Sequence, residues 1–211
     1  MPQELILTGA SVAGLHTCVE VPSLKLALDL GSCSTRAVHL QTVLVSHGHL
    51  DHCGALPVHA ARRSLLGLSP ARYVVPRAIA ADVEALFNAA GRLDGKAIPR
   101  HVIPLSPGEE FPLGRRRAVR AFETFHRVVS QGYAVVESRH RLRAAFAGME
   151  GRALAELRAR GEAVEDTVRA VALAYTGDTR VEVLEASQEA RTAENLVMEV
   201  SFQDGRVSVE E

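Results

Sequence analysis

The chain has 211 residues, 24 Lys plus Arg against 25 Asp plus Glu, and a formal net charge of -1, with 47% hydrophobic and 23% charged residues. This is the balance of an ordinary globular protein, long enough to bury a core without disulfides or metals as staples. Charges interrupt every stretch long enough to span a bilayer, so no transmembrane helix is expected and no membrane partner.

Glu4 stands where a secretory leader would carry positive charge, so the expected compartment is cytoplasmic. Cys18, Cys33 and Cys53 make an odd set without a C-x-x-C pair, as reduced thiols would. Trp is absent and aromatics make up 4% of the chain, so no aromatic platform for stacking bases is visible.

In chain order, Leu5 to Thr8, Thr17 to Val21 and Leu24 to Leu28 are brief apolar runs punctuated by Gly9, Gly14, Pro22 and Gly31, which predicts a meander of strands. Thr42 to Ser46 predicts a buried strand by β-branching and length. Gly54 to Leu66 and Arg77 to Ala90 have helical periodicity, with a strand at Arg72 to Val75 between them. Further strands are expected at His101 to Ile103, Ala118 to Phe125, Tyr133 to Glu137, Val168 to Tyr175 and Leu196 to Phe202. Meanders mixed with covering helices predict an α/β protein of two sheets with helices outside.

The strand at Thr42 runs directly into Ser46-His47-Gly48-His49-Leu50-Asp51-His52. In an extended loop His47 and His49, at i and i+2, face the same way, and Gly48 would let the backbone turn between them. Asp51 and His52 are adjacent and diverge, so they can serve a second ion. Imidazole and carboxylate suit zinc, and two ions about 3.5–4 Å apart supply a hydroxide nucleophile at neutral pH. Manganese or iron could occupy the same shell. The loop cannot complete both shells alone. Two later strand ends offer further ligands: His126, and Asp178 in Thr176-Gly177-Asp178-Thr179, where Gly177 would let backbone approach an ion closely. His39, His59, His101 and His140 have no companion ligand nearby and read as surface or core residues.

His-x-His-x-Asp-His after a buried strand, a later lone His and a Gly-Asp-Thr resemble the metallo-β-lactamase superfamily. Ser46 to Pro57, Phe125-His126-Arg127-Val128-Val129-Ser130-Gln131-Gly132-Tyr133, Tyr175 to Thr179 and Glu199-Val200-Ser201-Phe202 resemble, within it, the tRNase Z family in its short plant-type form. The resemblance spans essentially the whole chain. It implies a four-layer αβ/βα sandwich of two mixed sheets with outer helices, as one domain over residues 1–211. It also implies two zinc ions, the first on His47, His49 and His126, the second on Asp51 and His52, with Asp178 bridging. Asp51 would also orient or deprotonate the attacking water. The implied reaction is cleavage of precursor tRNA at its 3′ side, leaving a 3′-hydroxyl, by an enzyme that could act as a homodimer.

Charge is unevenly spread. Residues 115–160 carry 11 basic and 4 acidic groups, and residues 161–211 carry 4 and 12. The resemblance implies a basic arm or insertion at about residues 138–168, with Arg152, Arg158 and Arg160 on a helix; the alternative is a solvated amphipathic helix with Leu154 and Leu157 inward. In tRNase Z an arm after the third metal His grips the tRNA. Ser130, Tyr133, Arg139, Arg141 and Arg143 are the expected substrate-binding residues, since arginine's planar fork takes two phosphate oxygens.

Two departures from the family pattern bear on mechanism. Family members continue to a final His that completes the second metal site, whereas no His follows His140 here, so the second site could be weak. The expectation is a truncation of a longer chain, with Val207 to Glu211 reading as a helix that begins. Met198 stands where many relatives have a His thought to protonate the leaving oxygen, which leaves the general acid open. The alternatives to a tRNA-processing endonuclease are a hydrolase of a small thioester, lactone or phosphodiester, and an inactive metal- or RNA-binding paralogue.

Overall fold

The apolar runs become strands of two mixed sheets in a computed structural model that describes residues 5–199. The first sheet holds six strands in sequential order: β1 (Thr8–Val12), β2 (His16–Val21), β3 (Leu26–Leu28), β4 (Thr42–Leu44), β5 (Arg72–Pro76) and β6 (His101–Leu105). β1 to β3 are antiparallel and β3 to β6 parallel. Parallel neighbours need long crossovers, and helices supply two of them. After the short α1 (Leu50–Cys53), α2 (Leu56–Leu65) leads from β4 to β5, and α3 (Ala80–Asp94) from β5 to β6.

The second sheet is built from β7 (Glu110–Pro112), β8 (Arg117–Glu123), β9 (Gln131–Leu142), β10 (Glu165–Tyr175) and β11 (Leu196–Val197), in the order β11-β10-β9-β8-β7. Its strands are antiparallel except that β11 runs parallel to β10. α4 (Gly151–Ala159) lies between β9 and β10, and α5 (Val183–Ala186) and α6 (Gln188–Thr192) follow β10.

Side-chain alternation along these strands makes the layers. Leu26, Leu28, Leu44 and Val74 of the first sheet meet Val119, Ala121, Tyr133, Val135, Leu173 and Tyr175 of the second. The intervening residues Ala27, Val43, Tyr73 and Val75 face the other way, onto Leu56, Ala60, Val83 and Phe87 of α2 and α3. Ala134, Val136 and Ala174 likewise turn outward with Val183 of α5. The order is helices, sheet, sheet, helices, which is the four-layer sandwich. Strands covered on both faces read as unbroken apolar runs, which is why Thr42 to Ser46 was legible. Each fully buried aliphatic side chain in these layers contributes roughly 1.5–3 kcal/mol.

Some boundaries differ from the sequence reading. The first strand begins at Thr8 rather than ending there, while Leu5 and Leu7 pack irregularly against the inter-sheet core. β7 has three residues and ends in a proline, too short for a periodicity signal. β9 and β10 run well past the expected Tyr133 to Glu137 and Val168 to Tyr175, pairing as far as Leu142 and Glu165. Their outer halves are half-buried or exposed, so no apolar alternation marks them. A bulge between Val171 and Leu173 separates the packed half of β10 from its projecting half. The strand expected at Leu196 to Phe202 covers Leu196–Val197; its residues from 200 on, and the helix start at Val207 to Glu211, lie outside the described residues.

Candidate metal centre

Three chain segments meet at one end of the two sheets. β4 ends at Leu44, and the chain continues in extended form so that His47 forms an isolated bridge with Ser130, just before β9. His49 keeps an extended backbone (φ -65°, ψ 142°) and precedes α1, whose first turn carries Asp51 and His52. His126 follows β8, and Asp178 follows β10.

Gly177, between β10 and Asp178, has φ of 59°, and a Cβ there would sit 2.4 Å from the Ser46 side chain. The close approach that requires glycine is thus to Ser46, across the two sheets, rather than to an ion. Gly48 is not among the positive-φ residues, so the turn between His47 and His49 does not use a left-handed conformation.

The imidazoles face one another. His47 Nε2 lies 3.0 Å from His49 Nδ1, and His126 Nε2 lies 3.4 Å from the same atom. Asp178 Oδ2 is 3.9 Å from His47 Nε2, and donor atoms of His47, His49, His126 and Asp178 all lie within 4.8 Å of one another. On its other side Asp178 Oδ1 is 3.2 Å from His52 Nε2. Donor atoms of His52, Asp178 and Glu199 form a second group within 4.8 Å, so Asp178 belongs to both. Asp51 Oδ2 is 3.6 Å from His52 Nε2 and accepts a hydrogen bond from the Gly14 N–H, in the turn between β1 and β2, at 2.9 Å.

Behind the cluster sits Asp29, a residue that sequence reasoning passed over. It is fully buried and holds a left-handed backbone, φ 55°. Its Oδ1 accepts from the Ser46 N–H at 2.6 Å. Its Oδ2 accepts from Ser46 Oγ at 2.6 Å, His52 Nδ1 at 2.7 Å and the Tyr175 hydroxyl at 2.5 Å. Because the single Ser46 hydroxyl proton goes to Asp29, Ser46 Oγ accepts from His47 Nδ1, 2.9 Å away. His47 and His52 therefore each carry a proton on Nδ1 and turn Nε2 toward the cluster, the nitrogen that a metal would take. The segment is fixed in place: Leu30 N–H donates to His52 O at 2.7 Å, and a Cβ on Gly31 would lie 1.6 Å from the Asp51 carbonyl oxygen. Its faint sequence signal was Asp-Leu-Gly directly after an apolar strand. Glu199 sits in a family-like segment of the sequence, where no neighbouring ligand marks it as part of the cluster.

Burial depresses the His47 pKa to about 2, helped by the charges of His52, His126 and His49. His49 and His126 are also lowered, by burial first. Burial opposes protonation of His52 too, but the Asp29 hydrogen bond and the charges of Asp29, Asp178 and Asp51 outweigh it and hold the group up. Asp178 is raised by burial first and then by Glu199. His47, His49 and His126 are thus neutral imidazoles grouped around Asp178, while the carboxylates around His52 favour its charged form until a cation takes the place of the proton. Asp178 Oδ1 is buried, with His52 Nε2 3.2 Å away and no hydrogen-bond partner among the described residues. A divalent cation satisfies this donor set, whereas leaving a buried oxygen unpaired costs about 1–3 kcal/mol.

The other expected site residues lie elsewhere or are engaged. Tyr133 is a correction: it is buried between the sheets, and its hydroxyl donates to Val45 O at 2.7 Å, so it packs the core rather than touching a substrate. Ser130 is beside His47 and shares a hydrogen bond of 2.7 Å with the Thr124 hydroxyl. Arg139 is held by Glu137 and Glu194, and Arg143 by Asp166 at 2.8 Å. Arg141 is exposed and makes no ion pair among the described residues. Leu154 and Leu157 of α4 are half-buried, and no residue of that helix is fully buried. Cys53 is a buried thiol donating to Gly48 O, and burial pushes its pKa up to about 11. Met198 packs against the Phe122 and Val183 group. No helix among the described residues is long and apolar enough to cross a membrane.

Residues 30–206 match the Beta-lactamase superfamily domain. The chain is 36% identical over 206 residues to a tRNase Z of Arabidopsis thaliana, covering 97% of this chain and 74% of the relative. It is 35% identical over 206 residues to the chloroplastic tRNase Z of the same plant, covering 97% of this chain but 58% of that one. Human tRNase Z, short form, superposes with a TM-score of 0.58 at 16% identity, over 95% of this chain and 79% of that one.

Proposed function

The chain belongs to the tRNase Z family of the metallo-β-lactamase superfamily, and on that footing we propose that it is an endonuclease cutting a phosphodiester at the 3′ side of precursor tRNA. The observation that carries the reading is the convergence of His47, His49 and His126 on one side of Asp178 and of His52 and Glu199 on the other. His47, His49 and His126 would hold one ion and His52 with Asp51 a second, with Asp178 shared. Zinc is the favoured metal, since neutral imidazole and carboxylate are its usual ligands. Bound there, the ions would polarise the phosphoryl oxygens and lower the pKa of the attacking water.

The rest is done by the chain itself. Asp29 and Ser46 fix the tautomers of His47 and His52, so that both present lone pairs without reorganising. Asp51, which accepts a hydrogen bond from the Gly14 N–H, would orient the attacking water and take its proton. In this reading residues 138–168 are an arm of a single domain that meets the RNA away from the cut, and the protein works in the cytoplasm.

The test is incubation of the zinc-loaded protein with a 3′-extended precursor tRNA. A discrete product with a 3′-hydroxyl is expected. Hydrolysis of small phosphodiesters, thioesters or lactones without cutting of precursor tRNA would overturn the tRNA assignment.

A further inference from the structure

The arginines differ in how they are engaged and in where they stand. Arg117, Arg120, Arg139, Arg143, Arg158 and Arg169 are each paired with a carboxylate. Their charge is largely spent on holding the second sheet and its projecting hairpin together. Arg127 and Arg180, like Arg115, Arg116 and Arg141, are exposed and pair with no carboxylate among the described residues, but they alone of these five adjoin metal-ligand candidates in the chain.

Both flank the candidate metal centre. Arg127 directly follows His126, and Arg180 lies two residues beyond Asp178. The two segments are stitched together, with Phe125 N–H donating to Thr179 Oγ1 at 2.9 Å and Arg180 N–H donating to Phe125 O at 3.0 Å. Arg127 thus stands next to a ligand candidate of the cluster, and Arg180 is held to the same segment by these two hydrogen bonds. A fixed cation beside a site suited to cations is unfavourable by itself, and becomes favourable when a ligand brings several negative charges.

We propose that Arg127, with Arg180 beside it, grips backbone phosphates of the RNA next to the bond that is cut. The proposal rests on the endonuclease reading and names the part of the substrate these groups hold. A guanidinium suits that task because its planar fork takes two phosphate oxygens at once and keeps its charge at every working pH. A substrate with a single phosphate has no neighbouring phosphate for this clamp to hold.

The experiment compares Arg127→Ala, Arg127→Lys and Arg180→Ala with Arg92→Ala, which removes an equal charge from an exposed position on α3. Two measurements are made on the zinc-loaded protein: steady-state cleavage of 3′-extended precursor tRNA, and binding of fluorescein-labelled mature tRNA over a range of salt. Arg127→Ala is expected to raise KM about tenfold with kcat within about twofold, and to reduce the salt slope of binding by about one unit. Arg180→Ala should do the same to a smaller extent, Arg127→Lys should keep the salt slope, and Arg92→Ala should change neither. Hydrolysis of bis(p-nitrophenyl) phosphate should be unaffected by all four. Unchanged KM and salt slope in Arg127→Ala would overturn the proposal, as would an equal loss on bis(p-nitrophenyl) phosphate. If the wild-type protein cuts no precursor tRNA, the functional reading fails while the binding slopes still decide the role of Arg127.

Discussion

His47 and His59 are both fully buried, yet they end in opposite situations. His59, on α2, has both ring nitrogens satisfied by protein: Nε2 donates to Ala37 O at 3.1 Å and Nδ1 accepts from the Tyr73 hydroxyl at 2.8 Å. His47 has Nδ1 satisfied by Ser46 and turns Nε2 toward two other imidazoles and Asp178. Both resist protonation, mainly because of burial. A depressed pKa therefore does not distinguish a ligand from a core residue. The distinguishing feature is a second nitrogen whose neighbours are other acceptors, arranged so that a cation completes them.

If that contrast is right, the largest effect comes from removing the carboxylate both halves of the cluster share. Asp178→Asn is expected to lower kcat/KM by about 1,000-fold or more and to reduce bound metal per chain, measured by elemental analysis. Full metal content with that loss of activity would remove Asp178 from the ligand set.

The His59 side of the comparison is tested by acid. Its folded pKa, lowered to about 4 by burial, lies below the unfolded value, so the unfolded chain takes up the proton first as pH falls. This contribution to stability is complete above the unfolded pKa and declines as pH falls from there toward the folded value, by up to about 3 kcal/mol. Denaturant melts across that window should show a shallower pH dependence in His59→Gln, and an unchanged slope would sink the assignment.

Asp29→Asn keeps a residue that tolerates positive φ while removing the charge behind His47 and His52. Metal affinity, measured by competition with a chelator, is expected to fall about 10–100-fold with the fold retained. Wild-type affinity would show that the tautomers are set without it. The smallest effect belongs to the projecting hairpin: breaking the exposed Arg143–Asp166 pair with Arg143→Ala should change stability by less than about 1 kcal/mol in a thermal melt. A larger loss would mean that the hairpin is part of the cooperative core.

The legible features share a cause. His47, His49, Asp51 and His52 crowd into six residues, and Thr42 to Ser46 is apolar because both its faces are covered, so each leaves a local pattern in the chain. The outer halves of β9 and β10 leave none, since the antiparallel backbone ladder rather than an apolar face holds them together. Tyr133 shows the reverse error. Its place in a family-like segment suggested substrate contact, but alternation along β9 turns it into the inter-sheet core, and only pairing with β8 and β10 fixes which face that is.

The sequence by itself determined the chemistry on offer, a histidine-rich metal loop with two later ligands at strand ends, and the two-sheet architecture that carries it. Tertiary structure decided which groups complete that chemistry. Asp29 and Tyr175 are far apart in the chain, and so are Glu199 and His52. Their hydrogen bonds and shared donor group exist only because the two sheets pack face to face. The same packing sorted the arginines, pairing Arg117, Arg120, Arg143 and Arg158 with acids of neighbouring strands and leaving Arg127 and Arg180 uncompensated beside the cluster. Charge compensation depends on distance in space, which a linear pattern of residues does not contain.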